Sequence, residues 1–340
     1  MKAFVFERTG DPKDVLSVRE LPIPKPGPGE LLVRVRLSPV HPSDMHIMRG
    51  RFGRQPMLPA SPGIECVGVV EALGPGVASP TPGTRVVLLN VWGSWRELIV
   101  SPAERVIPVP PDLLDEDAAQ ALVNPVTAWV MTLVEHDLKP TDWLVQTAAG
   151  STVGRLVLQL ARSEGFRTVN IVRRRAQVPD IKALGGDVVI TSEDSDWGTQ
   201  LAATSEGKTL SRAIDCVSGR IGATVARHLA PGGRMLVYGA MSSHRQADPS
   251  AFEMPIFAPK LIYSAAAVQG WYLLHWLEVT PLPECRAIFA RVLDRLASGA
   301  LRLPPAKRHR PEKIADALRD ADGGPRQGKP LLDLSSWATG

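Results

Sequence analysis

The chain has 340 residues, 44% hydrophobic and 22% charged, with a net charge of +4, as expected for a soluble globular protein of one or two domains. So small and dispersed a positive excess gives no reason to expect a nucleic-acid partner. No apolar run approaches the ~18 residues that span a bilayer, the start MKAFVFERTGDP lacks the apolar stretch of a signal peptide, and Cys66, Cys216 and Cys285 stand at neither metal nor redox spacing. A soluble, cytoplasmic protein is expected.

Residues up to about 115 are rich in Pro, Gly and Val, with short runs such as ELLVRVRLSPV, GVVEALGPG and TRVVLLNVWGSW. These predict short strands joined by turns. The pattern then changes. Acidic residues from Asp115 open a helix expected to reach Leu122. Strand DWLVQTAA is followed by helix TVGRLVLQLARSEG, which stops at Gly165. RTVNIV, DVVIT, LSRAIDCVSG and RMLVYGAM read as further strands; DIKALGG and RIGATVARHLAPGG read as the helices between them. Such alternation predicts a parallel sheet covered by helices. The tail holds two helices, PECRAIFARVLDRLASGAL and PEKIADALRDA, and a terminal strand GKPLLDL.

Two stretches carry chemistry. In VQTAAGSTVG, Gly150 and Gly154 lie between a strand and a helix. A turn of this kind brings backbone N–H groups and a helix N-terminus to a pyrophosphate. With Gly154 as the last glycine of a G-x-G-x-x-G pattern, Ala149 and Ser151 replace the first two, so a plain strand–turn–helix reads the same way. The second stretch is Arg173-Arg174-Arg175, 19 residues beyond Gly154 at the end of the next strand, with no carboxylate between Gly165 and Asp180. An acid at that strand end would contact the ribose 2′-hydroxyl of NAD, whereas a guanidinium accommodates the 2′-phosphate of NADP. The combination points to NADPH, with Arg173 and Arg175 preferred over Arg174. The alternative is a solvated basic run.

With these motifs in hand, the chain resembles the medium-chain dehydrogenases/reductases along its whole length, through GPGELLVRVRLSPVHPSD, GIECVGVVEALGPGV, PGTRVVLLN, NPVTAW, AAGSTVG, YGAMS and GKPLL. IMRGRFGRQPMLPASPGIE, NPVTAWVM, NIVRRRAQVPDIKALGGDVVIT and VQGWYLLHWLE make it most similar to the mitochondrial-type trans-2-enoyl-thioester reductases. The resemblance implies an α/β fold: a Rossmann doubly wound parallel sheet over 119–279, plus a GroES-like β domain from 1–118 and 280–340. It also implies a homodimer, with residues 252–268 supplying a sheet edge.

Zinc-bearing relatives carry a Cys ahead of the SD-like segment and a GHE triplet. Here the residues are His41-Pro42-Ser43-Asp44 and Gly63-Ile64-Glu65. Ile64 cannot ligate, three convergent ligands are lacking, and no metal is expected. By resemblance this favours reduction of an activated C=C bond over alcohol oxidation. Such a reduction places hydride on the β-carbon and a proton on the α-carbon. The resembling reductases supply a tyrosine in a G-x-Y-G segment, but here Phe52, with no acidic proton, stands in Gly50-Arg51-Phe52-Gly53. His41, Tyr272 or water remain as proton sources, and His41 also reads as a residue that only hydrogen-bonds backbone.

By resemblance, Asn124 and Thr127 edge the nicotinamide, and Ser151, Thr152 and Val153 join Gly150 and Gly154 around the phosphates. Tyr238, Gly239, Ala240, Met241, Trp271 and Tyr272 lie along the cofactor on the same ground, and Lys329 either lies near it or is a solvated lysine. Trp92, Trp95 and Trp276 line an acyl channel or fill the core. Arg51 and Arg54 meet a carrier phosphate or are solvated. Three functions follow: an NADPH-dependent, zinc-free reductase of 2-enoyl thioesters; a quinone or enone oxidoreductase; or a catalytically weakened NADPH-binding protein.

Overall fold

A computed structural model describes residues 1–51, 53–204, 210–246, 248–323 and 328–339. The chain divides into two compact units, residues 1–123 with 277–340, and residues 124–276.

The first unit is built largely of short strands. They are β1 (Lys2–Phe6), β2 (Leu16–Glu20), β3 (Glu30–Pro39), β4 (Val67–Leu73), β5 (Arg85–Leu88), β6 (Leu98–Pro102) and β7 (Val106–Pro108). Strand β3 pairs antiparallel with both β4 and β6. Its runs of Leu and Val are buried on this account, since a central strand is covered on both faces. Phe4 and Trp95 meet edge to face at 6.2 Å in the core.

The second unit contains six strands: β8 (Trp143–Thr147), β9 (Arg167–Val172), β10 (Val188–Thr191), β11 (Arg212–Asp215), β12 (Arg234–Val237) and β13 (Ala267–Gly270). They form one parallel sheet in the order β10-β9-β8-β11-β12-β13. Numbered from β8, this is 3-2-1-4-5-6, the order of dinucleotide-binding sheets, in which the chain reverses direction beside the first strand. The helix Thr152–Glu164 buries Val153, Leu156, Val157, Leu160 and Ala161 on one side and stops at Gly165, whose φ of +82° is left-handed.

The chain then returns to the first unit. Helix Leu282–Ala297 precedes β14 (Ala306–His309), and helix Ile314–Gly323 precedes β15 (Lys329–Asp333). Strand β15 inserts between β14 and β3, so both chain ends build one seven-stranded sheet.

Three local expectations change. The helix opened by Asp115 ends at Ala118 rather than Leu122. The Leu122 N–H, which a continuing helix would direct to a backbone carbonyl, donates instead to the Glu65 carboxylate at 2.6 Å, as does that of Val123 at 2.9 Å. Residues 252–268 are not one extended edge: Ala258–Ser264 is helical, and β13 at the sheet's end begins only at Ala267. Pro42–Met48 forms a helix that HPSD alone did not announce.

Candidate active site

In the second unit, the turn after β8 is shaped by its small residues. Ser151 caps the following helix, its Oγ accepting the Gly154 N–H at 3.1 Å. Gly154 is needed for closeness: a Cβ there would stand 2.6 to 2.8 Å from Ala149 backbone atoms. The helix N-terminus, with the Thr152 and Val153 N–H groups in its first turn, thus lies beside the switch point between β8 and β11.

The Asp215 carboxyl, at the end of β11, knits this region together. It accepts Thr147 Oγ1–H at 2.5 Å and the N–H groups of Val217 and Ser218 at 3.0 and 2.9 Å. Tyr238 follows β12, and its hydroxyl bonds with Cys216 and Ser151; burial pushes that phenol well above its usual range, which makes it a poor acid. Met241 N–H donates to the Cys216 carbonyl at 2.8 Å, and Gly239 packs against the same residue. Gly150, Ser151, Thr152, Val153, Gly154 and Tyr238 therefore share one neighbourhood, while Asp215 is an organiser that sequence reading missed. Its signal was an acid ending an apolar strand in AIDCVSG. Asn124 and Thr127 lie on the helix Val123–Trp129, Thr127 buried. Trp271 is buried with its indole N–H unpartnered among the described residues, and Trp276 is buried too.

At the end of β9 the three arginines differ. Arg175 is paired with Asp194 at 2.7 Å, and its backbone N–H donates to Glu193 at 3.2 Å. Arg174 donates its backbone N–H to Gln177 Oε1 at 3.1 Å. Among the described residues, no carboxylate pairs with the guanidinium of Arg173 or Arg174. Arg175 thus has local anions, whereas Arg173 and Arg174 have no carboxylate partner among the described residues.

In the first unit, β15 brings Lys329 to the end of β3. A buried four-residue network results. Lys329 Nζ donates to Val40 O at 3.0 Å and to His41 Nδ1 at 2.9 Å. With Nδ1 accepting, Nε2 carries the ring proton and donates to Glu65 Oε2 at 2.7 Å. The His41 backbone N–H donates to Asp44 Oδ2 at 2.7 Å. His41, Glu65, Asp44 and Lys329 are 3%, 2%, 0% and 7% exposed. Burial and the Lys329 charge hold the imidazole well below its usual range, so the ring is neutral. Burial drives Glu65 up and Lys329 down, each opposed by attraction to the other.

Two expectations are corrected by this network. Both nitrogens of His41 are engaged by side chains, so it neither offers a free N–H to a substrate nor merely bonds backbone. Lys329 is a buried partner of His41 and not a solvated lysine. For Trp95 the core alternative holds. It is fully buried, with its indole N–H on Pro39 O at 3.2 Å, and belongs to the core and not to an acyl channel. Trp92 is half-buried and lines a cavity. Tyr272 is half-buried. Phe52 lies outside the described residues.

Burial pushes the Asp44 carboxyl from 3.8 up to about 7. The folded protein thus keeps a proton there that the unfolded chain releases at lower pH, and stability falls as pH rises between those values. Asp44→Asn is expected to flatten this loss, read as urea midpoints at pH 5 and 8. The same slope in the variant would refute the assignment.

Residues 27–111 match the alcohol dehydrogenase GroES-like domain, and residues 152–283 match the zinc-binding dehydrogenase family. With the 3-2-1-4-5-6 sheet and the β domain from both chain ends, this defines an oxidoreductase of the medium-chain dehydrogenase/reductase superfamily. Bovine mitochondrial enoyl-[acyl-carrier-protein] reductase is 32% identical over 89% of this chain and 81% of its own. The Xenopus tropicalis counterpart is 31% identical over 94% and 91%. A Bacillus thuringiensis structure, provisionally described as an NADPH:quinone reductase, superposes with a TM-score of 0.88 at 27% identity over 98% of both chains. Within the superfamily the chain belongs to the enoyl reductase family, with quinone reductases among its structural relatives. No helix among the described residues is long and apolar enough to cross a membrane.

Proposed function

We propose that the protein is an NADPH-dependent, zinc-free reductase of 2-enoyl thioesters. The observation that carries the reading is 32% identity to an enoyl-[acyl-carrier-protein] reductase over nine-tenths of the chain, joined to a dinucleotide-type turn with two unpaired arginines beyond it. NADPH supplies the hydride when bound. Gly150, Ser151, Thr152, Val153 and Gly154 hold its pyrophosphate at the helix N-terminus. Arg173 and Arg174 take its 2′-phosphate, and Tyr238, Gly239, Ala240 and Met241 flank it. Asn124, Thr127, Trp271 and Tyr272 border the nicotinamide.

The donor set does not fit zinc. Ile64 has no ligating atom, and a lysine ammonium 2.9 Å from His41 Nδ1 would repel a dication. Among the described residues no group of three or more His, Cys, Asp or Glu side chains is arranged to hold a metal ion. With His41 saturated and Phe52 inert, Tyr272 or water protonates the α-carbon. A quinone or enone substrate is the second reading, favoured by Phe52 and by the Bacillus relative. The assembly is a homodimer, and the protein works in the cytoplasm.

NADPH oxidation, followed by absorbance with crotonyl-CoA, a longer enoyl-CoA and a simple quinone in parallel, tests the reading. Turnover of the enoyl-CoAs is expected. Turnover of the quinone alone would replace the first reading by the second. Tight NADPH binding without turnover of any substrate would leave a binding protein.

A further inference from the structure

Within the first unit a cavity of about 400 Å³ opens beside the loop that follows β5. Its apolar wall includes Leu89, Ile99 and Pro102, Trp92 contributes an indole, and Arg96 and Arg105 contribute the cations. Arg96 is positioned deliberately. Its Nε donates to Gly93 O at 2.6 Å, and Gly93, at φ +79°, lets the guanidinium fold back: a Cβ there would stand 2.7 Å from Arg96 Nη2. Burial lowers the Arg96 pKa, and no acid opposes it. Among the described residues, neither Arg96 nor Arg105 pairs with a carboxylate. Arg54, by contrast, stands 5.7 Å over the Trp92 ring and is already neutralised by Glu278.

A part-buried guanidinium without a counter-ion is costly. Two of them on one concave wall form a receptor for an anion with several oxygens, which arginine engages bidentately. The apolar wall and the indole suit the rest of a molecule whose charge sits at one point. We propose that this cavity binds a phosphate of the carrier that bears the enoyl thioester. The inference rests on the enoyl-thioester reading above and adds the group by which the carrier is held.

The test is calorimetric titration of the whole protein with free CoA, 3′-dephospho-CoA and 4′-phosphopantetheine, using wild type and Arg96→Gln/Arg105→Gln. Wild type is expected to bind CoA, and the variant about 100-fold more weakly, since each charge-assisted phosphate contact is worth about tenfold or more. A loss shared by all three ligands assigns the pantetheine phosphate; a loss confined to CoA assigns the 3′-phosphate. Arg96→Lys/Arg105→Lys keeps the charge without the fork and should fall between. An unchanged melting temperature and NADPH affinity separate these effects from misfolding. In turnover, KM for crotonyl-CoA should rise with kcat held, while crotonyl-N-acetylcysteamine, which has no phosphate, is unaffected.

CoA affinity equal in wild type and the Gln variant, or no CoA binding by wild type, would overturn the proposal. Enoyl-CoA turnover insensitive to both arginines would sink the pocket and leave the reductase reading standing. Arginine-dependent CoA binding without enoyl reduction would do the reverse.

Discussion

Arg173→Ala/Arg174→Ala is expected to bind NADPH about 100-fold more weakly than wild type while its affinity for NADH changes little. Each guanidinium donates charge-assisted hydrogen bonds to a phosphate, worth ~1.5–3 kcal/mol before exposure weakens them; ~1.4 kcal/mol apiece gives the factor of 100. Arg175→Ala is the internal comparison. Its guanidinium is already held by Asp194 at 2.7 Å, so its loss should cost NADPH well under tenfold. Fluorescence titration of both nucleotides against the three proteins measures this. Equal losses for NADPH and NADH would remove the 2′-phosphate assignment, and a dominant effect of Arg175 would reverse the ranking.

Lys329→Met is expected to destabilise the protein by about 3–5 kcal/mol, the cost of stranding a buried charge. The Glu65 carboxyl receives the N–H groups of Leu122 and Val123 and the His41 Nε2–H. All its contacts are donors, the geometry of a carboxylate, and Lys329 is the cation that balances it. His41 Nδ1 would lose its donor as well. Glu65→Gln on the Lys329→Met background should recover part of the loss, because the amide oxygen still accepts a backbone N–H and no charge remains to strand. Urea denaturation of the wild type, both single variants and the double variant closes the cycle. If Lys329→Met fell within 1 kcal/mol of wild type, or if the two losses added, the network would not be a coupled pair.

The sequence carried the second unit well. Its strands alternate with helices that bury one face, and this local periodicity determines a parallel sheet wherever it occurs. Gly154 and the arginine run stand out because both lie in or directly after one strand–helix–strand unit, β8 to β9. The short helix Pro42–Met48 and the early end of the helix at Ala118 were not readable, because neither depends on nearby residues alone. Beyond the second, Glu65, more than 50 residues away, takes the N–H of Leu122 at 2.6 Å, after the backbone has left α-helical hydrogen bonding at Gln120.

The sequence by itself thus determined the α/β class, the two-part organisation, the place of the glycine turn and the basic strand end. Only the tertiary structure decided which arginines are unpaired, for Asp194 reaches Arg175 from beyond the next strand. Only the tertiary structure joined His41, Asp44, Glu65 and Lys329, because their meeting requires β15 to pair with β3 across the whole length of the chain. Periodicity along a chain reports which face of an element is buried; the identity of a buried charge's partner depends on strand pairing between distant segments, and no local pattern encodes it.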